Sequence, residues 1–383
     1  MNPEQKQLSM ALVAGETSGD LLASMLMKGL QSRWPSARFA GIGGPRMDKL
    51  GFDSWWPMNK LAVRGYVEVL RHYREIIGIR KQLQTRLLED PPDIFIGVDA
   101  PDFNLDLAAQ LKQRGIPCIQ FVCPSVWAWR ADRVTKIRQS VDHVLCLFPF
   151  EPALLQAHGI NATYVGHPLA QVIPEDADKN AARKKLELST QDVVLAILPG
   201  SRASEIEQMT IRFLDAAELL AKRNPSLVVA LPMAPGVESQ ILRLTSRYSR
   251  SIQLKLIHGA SHDVLAAADV ALIASGTATL EAALFKCPMV IAYTMPWISW
   301  QIMKRQRLQP WVGLPNILCG EFVVPELLQS EAKPSALAKA VQEWLDHPEK
   351  IQSMREKFQS MHLILRQNTA ALATDAIEKI LAR

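Results

Sequence analysis

The segment ALVAGETSGD, residues 11–20, decides the fold class. Its apolar run ends at Gly15, as is typical of a buried parallel strand that leads into a helix. The turn that follows reads ETSGD, residues 16–20, where a dinucleotide-binding loop would carry two further glycines. The segment therefore predicts a Rossmann-like first strand and argues against an NAD-dependent oxidoreductase.

The same turn predicts a weak anion site next to Glu16, a residue that can bind a sugar. If Thr17 or Ser18 caps a helix that starts near residues 19–20, free backbone N–H groups lie at its start. Glu16 would repel a pyrophosphate but can accept hydrogen bonds from hydroxyls or an amine. The turn suits a sugar, and an ordinary surface role for Glu16 is the alternative.

Strand-like and helix-like segments alternate along most of the chain, which predicts parallel sheets covered by helices on both faces. The alternation restarts after the charged segment VIPEDADKNAARKKLEL, residues 172–188, which we interpret as a linker. The pattern predicts an α/β protein with two doubly wound domains and a ligand cleft between the carboxyl ends of both sheets. The predicted domains are residues 1–172, 173–345 and a helical 346–383.

Composition excludes several functional classes. The 383 residues are 48% apolar and 21% charged, with a net charge of +5. This mild charge gives no nucleic-acid-binding signature. The five cysteines have no zinc or redox spacing, and no apolar run approaches the roughly 18–20 residues of a spanning helix. We expect a cytoplasmic protein that needs no metal or other cofactor.

The segment GVDAPDFN, residues 97–104, follows a predicted strand. Asp99 stands where that strand ends, so its carboxylate can reach the cleft and serve as a general base. Asp102 and Asn104 lie in the same turn and are candidate substrate contacts. Helix capping is the alternative role, most of all for Asp102.

The segment PSVWAWR, residues 124–130, follows the next strand. Trp127 can stack on a sugar face or pack in the core. Arg130 is a candidate phosphate contact.

Two loops of the second half have the chemistry of a nucleotide site. In LPGSR, the small residues Gly200 and Ser201 allow close backbone approach, and Arg202 can neutralise a diphosphate.

In ASGTATLEAAL, residues 274–284, the Ser275-Gly276-Thr277 turn ends a strand and opens a helix, which makes an anion cradle. Glu281 follows Thr277 by one helical turn. Its carboxylate can accept hydrogen bonds from both ribose hydroxyls.

Two patches predict contact with an anionic membrane surface, because each combines apolar or aromatic side chains with several cations. An ordinary packed helix is the alternative for the first patch. The membrane-contact residues are Tyr66, Val69, Leu70, Tyr73, Ile76 and Ile77 in residues 60–86, and Trp297 and Trp300 in residues 295–316.

The chain resembles the lipid-A-disaccharide synthase family, a family of membrane-associated glycosyltransferases. The resemblance rests on segments that occur in the family's order over essentially the whole chain. They are ALVAGETSGD, GVDAPDFN, PSVWAWR, GHPLA, LPGSR, ASGTATLEAAL, KCPMV and LPN.

This resemblance implies a GT-B fold whose last helices cross back onto the first domain. It implies inverting transfer of 2,3-diacylglucosamine from its UDP derivative to 2,3-diacylglucosamine 1-phosphate, which gives a β-1,6 disaccharide 1-phosphate and UDP. Asp99 corresponds to the proposed base and Glu16 to an essential polar residue. The donor-side residues correspond to Arg202, Glu281 and Asn316.

Three other functions stay open at this point. A transferase for a peptidoglycan lipid and a UDP-N-acetylglucosamine 2-epimerase would use the same fold. A nucleotide-sensing membrane tether would need no catalytic base. The sequence leaves a homodimer open as well.

Overall fold

The computed structural model describes residues 7–61, 66–128, 133–248 and 250–382. The chain divides into two compact units. The first unit consists of Met1–Pro168 with Leu365–Arg383, and the second unit consists of Leu169–Ile364.

The first unit is built on a parallel sheet with the strand order β3-β2-β1-β4-β5-β6-β7. Its strands are β1 (Ser9–Ala14), β2 (Arg38–Gly43), β3 (Asp53–Pro57), β4 (Ile94–Val98), β5 (Cys118–Phe121), β6 (His143–Cys146) and β7 (Ala162–Tyr164). Helices α1 to α6 are Thr17–Arg33, Pro45–Asp48, Tyr66–Glu89, Pro101–Lys112, Arg133–Ser140 and Glu151–Gln156.

The second unit repeats this architecture with the order β10-β9-β8-β11-β12-β13. Its strands are β8 (Val193–Leu198), β9 (Leu227–Met233), β10 (Gln253–His258), β11 (Val270–Ala274), β12 (Met289–Tyr293) and β13 (Glu326–Leu328). Helices α7 to α16 are Leu169–Val172, Lys179–Lys185, Ala203–Ala221, Glu238–Thr245, Ser261–Ala267, Thr277–Leu284, Trp297–Gln306, Leu314–Cys319, Pro334–Asp346 and Pro348–Leu365.

Both sheets are doubly wound, because in each of them the strand order reverses once. The reversal lies between β1 and β4 in the first sheet and between β8 and β11 in the second. In open α/β sheets ligands bind outside the carboxyl ends of the strands at this switch point. The predicted α/β architecture of two Rossmann-like sheets is confirmed.

The first sheet is apolar on both faces, as parallel sheets generally are. Successive residues of β1 point to opposite sides. Met10 and Leu12 pack with α1, and Ala11 and Val13 pack with helices α3 to α5.

The last helix, α17 (Thr369–Leu381), covers the same face as α1. Gly29 permits the close approach, since a Cβ there would lie 2.8 Å from the Ala370 carbonyl oxygen. Arg33 donates to Asp375 at 2.8 Å and also pairs with Glu378. Through α17 the chain therefore returns to its first sheet.

The segment interpreted as a linker is part of the second unit. The guanidinium of Arg183 is buried and donates to the carbonyls of Ala267, Ser189 and Thr190 and to the carboxylate of Asp269. The structural division at Pro168 and Ile364 also differs from the predicted boundaries at 172 and 345, and most of α16 belongs to the second unit.

Candidate active site

The switch point of the first sheet brings Glu16 and Asp99 to one edge. Strands β1 and β4 pair directly, with Ala14 opposite Val98. The loops that follow them touch, because a Cβ on Gly15 would lie 2.6 Å from the Cβ of Ala100. The two candidate catalytic residues therefore stand on neighbouring loops.

The capping prediction for the first loop is wrong. Helix α1 begins at Thr17, and its N-cap residue is Glu16, in extended conformation and without a side-chain capping bond. Ser18 lies exposed in the first turn, where its hydroxyl can reach a ligand.

Asp20, the last residue of the opening segment, has a structural role. It is buried, and its carboxylate accepts the backbone N–H groups of Arg46 and Met47 at 3.1 Å each. These bonds hold the β2–α2 loop against α1. Gly44 leaves the room for them, since a Cβ there would lie 2.6 Å from the Asp20 carboxyl carbon.

Asp99 lies in a constrained backbone. It has a φ of 56° and the following Ala100 a φ of 41°, a left-handed region that costs non-glycine residues about 1–2 kcal/mol each. The Asp99 N–H donates to the Phe121 carbonyl at 3.0 Å. The Asp99 carbonyl accepts from Asn104 Nδ2 at 2.8 Å and from Gln120 Nε2 at 3.0 Å.

Two predicted substrate contacts of this loop have other partners. Asn104 is fully buried, so its amide holds the Asp99 backbone rather than a ligand. Asp102 is exposed in the first turn of α4, and its Oδ1 accepts from Arg133 at 2.6 Å. Asp102 is not the helix cap either, because Ala100 occupies the N-cap position.

Trp127 lies in the core, and this corrects the predicted sugar-stacking role. Its indole N–H donates to Glu151 Oε1 at 2.9 Å, and its ring meets Phe148 and Phe150 edge-on at 5.9 and 5.3 Å. Burial raises the pKa of Glu151 to about 7. Arg130 lies outside the described residues.

The switch point of the second sheet has Gly200, Ser201 and Arg202 on the loop after β8. Gly200 has a φ of 110°, and a Cβ there would lie 2.5 Å from Glu205 Oε2, so only glycine suits this turn. Ser201 is exposed, and Arg202 is the exposed N-cap residue of α9. The backbone and the guanidinium are both accessible, as a diphosphate site requires.

Sequence reasoning missed Glu205, which lies beside this loop. Glu205 Oε1 accepts from Arg202 Nη1 at 3.0 Å and from the Tyr293 hydroxyl at 3.2 Å. The carboxylate thus fixes the guanidinium from one side. The three-residue spacing of Arg202 and Glu205 at a helix start was the available signal.

The other loop of this switch point opens α12. Gly276 is the N-cap residue with a φ of 125°, and space is open where its Cβ would stand. Thr277 is exposed and Ser275 is half-buried. The N-terminus of α12 therefore presents backbone N–H groups on an accessible surface, which favours binding of an anion.

Glu281 lies one turn into α12 and is mostly buried. Burial raises its pKa to about 7. His262, another residue that sequence reasoning missed, places Nε2 3.7 Å from Glu281 Oε2, and its ring meets Phe285 edge-on at 5.3 Å. Burial lowers the pKa of His262, with an opposing effect of Asp263.

Asn316 is buried with all four amide hydrogen bonds made inside the protein, which corrects its predicted place among the donor contacts. Oδ1 accepts the N–H groups of Val323 and Val324 at 2.8 and 2.9 Å. Nδ2 donates to the Val324 carbonyl and to Glu326 Oε1, each at 2.9 Å. The amide therefore joins α14 to the segment that leads into β13.

The predicted membrane residues fall into three groups. Trp297 is 72% exposed at the start of α13, and Trp300 is half-buried. Ile76 packs against the first unit's core, which corrects its predicted membrane role, and Ile77 is half-buried. The side chains that lie outside the described part are Tyr66, Val69, Leu70 and Tyr73.

Two features are absent from the described residues. No helix there has the length and apolar character needed to cross a membrane. Likewise, in that part of the chain no three or more His, Cys, Asp or Glu side chains are grouped so that they could hold a metal ion.

Solved structures with the same fold include a putative epimerase and a glycosyltransferase. A putative UDP-N-acetylglucosamine 2-epimerase from Listeria monocytogenes superposes with a TM-score of 0.63 at 11% identity, over 97% of this chain and 95% of that one. CalG4, the calicheamicin glycosyltransferase, gives 0.58 at 14% identity over 99% of both chains. At such low identity these likenesses show the fold alone, and that fold is GT-B.

The sequence comparisons are far closer. The family model for lipid-A-disaccharide synthetase matches residues 10–380. The lipid-A-disaccharide synthase of Albidiferax ferrireducens is 58% identical over 385 residues, 99% of each chain. Because the match spans both units and the loops of both switch points, the chain belongs to the lipid-A-disaccharide synthase family.

Proposed function

We propose that this chain transfers 2,3-diacylglucosamine from its UDP derivative to the 6-hydroxyl of 2,3-diacylglucosamine 1-phosphate, with inversion. Family membership makes it a glycosyltransferase that forms the lipid A disaccharide. The observation that carries the proposal is that the two switch points have different kinds of functional groups. Two carboxylates, Glu16 and Asp99, stand at the first, and the diphosphate-binding groups stand at the second.

In this mechanism Asp99 accepts the proton of the acceptor's 6-hydroxyl as that oxygen forms a bond to the anomeric carbon. The bond from the anomeric carbon to the diphosphate oxygen breaks, and UDP leaves with the electron pair. A positioned base of this kind contributes about 10²–10⁴-fold in rate. Glu16, on the neighbouring loop, orients the acceptor through its hydroxyl groups.

The donor side stabilises the charge that develops on the leaving diphosphate. Arg202, held by Glu205, and the N-terminus of α12 at Ser275–Thr277 supply the positive potential. The carboxylate of Glu281 accepts hydrogen bonds from the ribose hydroxyls. We propose that these groups suffice without a metal or another cofactor.

The direct test mixes the two acylated glucosamine substrates with purified enzyme and follows UDP and disaccharide, with and without EDTA. We expect one UDP for each disaccharide and no effect of EDTA. Release of UDP without disaccharide, or formation of an epimerised UDP-sugar, would contradict the proposal. A tether without chemistry would give neither product.

The raised pKa of Glu281 predicts that UDP binding depends on pH. Burial raises the pKa of this carboxyl group to about 7, and the ionised form is the stronger acceptor of hydrogen bonds from both ribose hydroxyls. Binding therefore weakens as the pH falls below 7, by up to about tenfold per unit, and releases a proton near pH 7. Titration calorimetry in buffers of different ionisation enthalpy measures this proton.

Glu281→Gln is the matched variant, because it keeps the side chain's shape and removes the ionisation. The terminal phosphate of UDP itself titrates at about 6, and that contribution remains in the variant. An unchanged pH dependence in Glu281→Gln would mean that another group releases the proton.

We also propose that the enzyme contacts an anionic membrane surface through α13. Trp297 is exposed at the start of that helix, and Lys304 and Arg305 lie in its last turn. Aromatic rings and cations are favoured together at headgroup level. The expected cytoplasmic location and a homodimer both remain predictions from the sequence.

Trp297→Ser should weaken sedimentation with phosphatidylserine-containing vesicles by about tenfold, because about 1–2 kcal/mol of apolar burial is lost. Leu242→Ser is the control, since Leu242 is 51% exposed on α10, outside the patch. Equal losses in both variants would contradict a specific role for α13.

A further inference from the structure

The backbone of Asp99 is held by two buried amides from different elements. Gln120 projects from β5 and Asn104 from the first turn of α4, and both donate to the Asp99 carbonyl oxygen, at 3.0 and 2.8 Å. Asn104 is 0% and Gln120 1% exposed, so neither can contact substrate. With the Asp99 N–H bound to Phe121, both sides of this residue are fixed.

These amides maintain a costly arrangement. The consecutive positive φ angles of Asp99 and Ala100 are unfavourable for residues that carry a Cβ, and they persist only where the surrounding structure holds them. Among the described residues, Oδ1 of Asn104 is buried without a hydrogen-bond partner, so the loss of its hydration is not compensated. Strain and unsatisfied groups of this kind concentrate at functional sites.

The neighbouring glycine makes room for both amides. A Cβ on Gly97 would lie 2.7 Å from Asn104 Cβ and 3.0 Å from Gln120 Oε1. Gly97 has no positive φ, so steric space is the reason that a side chain is excluded there.

We propose that Gln120 and Asn104 are positioning residues that hold Asp99 for proton abstraction. This inference rests on the proposed role of Asp99 as base. Without the two amides the Asp99–Ala100 peptide relaxes toward the right-handed region, and the carboxylate turns away from the acceptor hydroxyl. A misplacement of 1 Å costs about 100-fold in rate.

The test uses Gln120→Met, which keeps the length of the side chain and removes the donor. We expect kcat to fall about 10- to 100-fold, with the KM for both substrates and the Kd for UDP unchanged. Ile119→Val is the control, because Ile119 is the adjacent buried residue of β5 and packs on the opposite face. It should lose stability without losing kcat.

A double-mutant cycle separates positioning from structural support. In an Asp99→Asn background, Gln120→Met should lower kcat no further, since the base is already gone. An unchanged kcat in Gln120→Met alone, or an equal fall in both backgrounds, would overturn the inference. If Asp99→Asn itself retains full activity, the assignment of Asp99 as base is wrong. This outcome differs from the one in which Asp99→Asn loses activity but Gln120→Met does not, which would contradict only the positioning role of Gln120.

Gly97→Ala provides the same test if Gln120→Met does not fold. It displaces both amides without changing either of them. We expect the same loss of kcat and the same absence of a further effect with Asp99→Asn.

Discussion

Replacing Asp99 by asparagine should lower kcat by about 10²–10⁴-fold and leave UDP binding intact. The substitution keeps the size of the side chain and its backbone bonds to Asn104 and Gln120, but removes the proton acceptor. Single-turnover formation of the disaccharide measures the chemical step, and calorimetry with UDP measures the nucleotide site.

Asp102→Asn is the matched control for this experiment. Asp102 lies in the same turn but is exposed and paired with Arg133. We expect a change in rate of less than about tenfold, because a surface ion pair contributes about 0–1 kcal/mol. If kcat fell further in Asp102→Asn than in Asp99→Asn, Asp102 and not Asp99 would be the base.

Replacing Asn316 by alanine should destabilise the second unit by about 3–5 kcal/mol. The change removes a fully buried amide and leaves the N–H groups of Val323 and Val324 without their acceptor, while Glu326 Oε1 loses one of its donors. Urea unfolding followed by circular dichroism measures the loss. Activity should fall with the fraction of folded protein rather than through a higher KM for the donor.

Asn224→Ala is the control for this prediction. Asn224 is half-buried in the same unit, and its amide donates to the Leu220 carbonyl and to Gln342. Its loss should cost only about 1 kcal/mol. If the Asn316→Ala protein were stable and had a raised KM for the donor, Asn316 would instead be a contact of the nucleotide site.

The sequence predicted well those features that depend on local pattern. Apolar runs followed by small or polar turns indicated β1, β4, β8 and β11, and the loops after these strands are the loops at the two switch points. The grouping of Glu16 with Asp99 follows from that topology. The accessible turns at Gly200 and Gly276 follow from it as well.

Features that depend on distant partners could not be predicted. The motif containing Asn316 shows an amide in a turn, but not that Val323, Val324 and Glu326 would surround it. Trp127 is likewise compatible with a sugar face until Glu151, 24 positions later, accepts its N–H. In each case the residue type was chemically suitable for both roles, and burial decided between them.

The placement of α17 on the first sheet has a consequence for folding during synthesis. Residues 169–364 contain their own sheet, so we expect the second unit to fold without the residues that follow it. The first unit, although translated earlier, lacks one covering helix until residues 365–382 emerge. We expect nascent chains that stall before α17 to expose apolar surface on the α1 face, which is the kind of surface that chaperones bind.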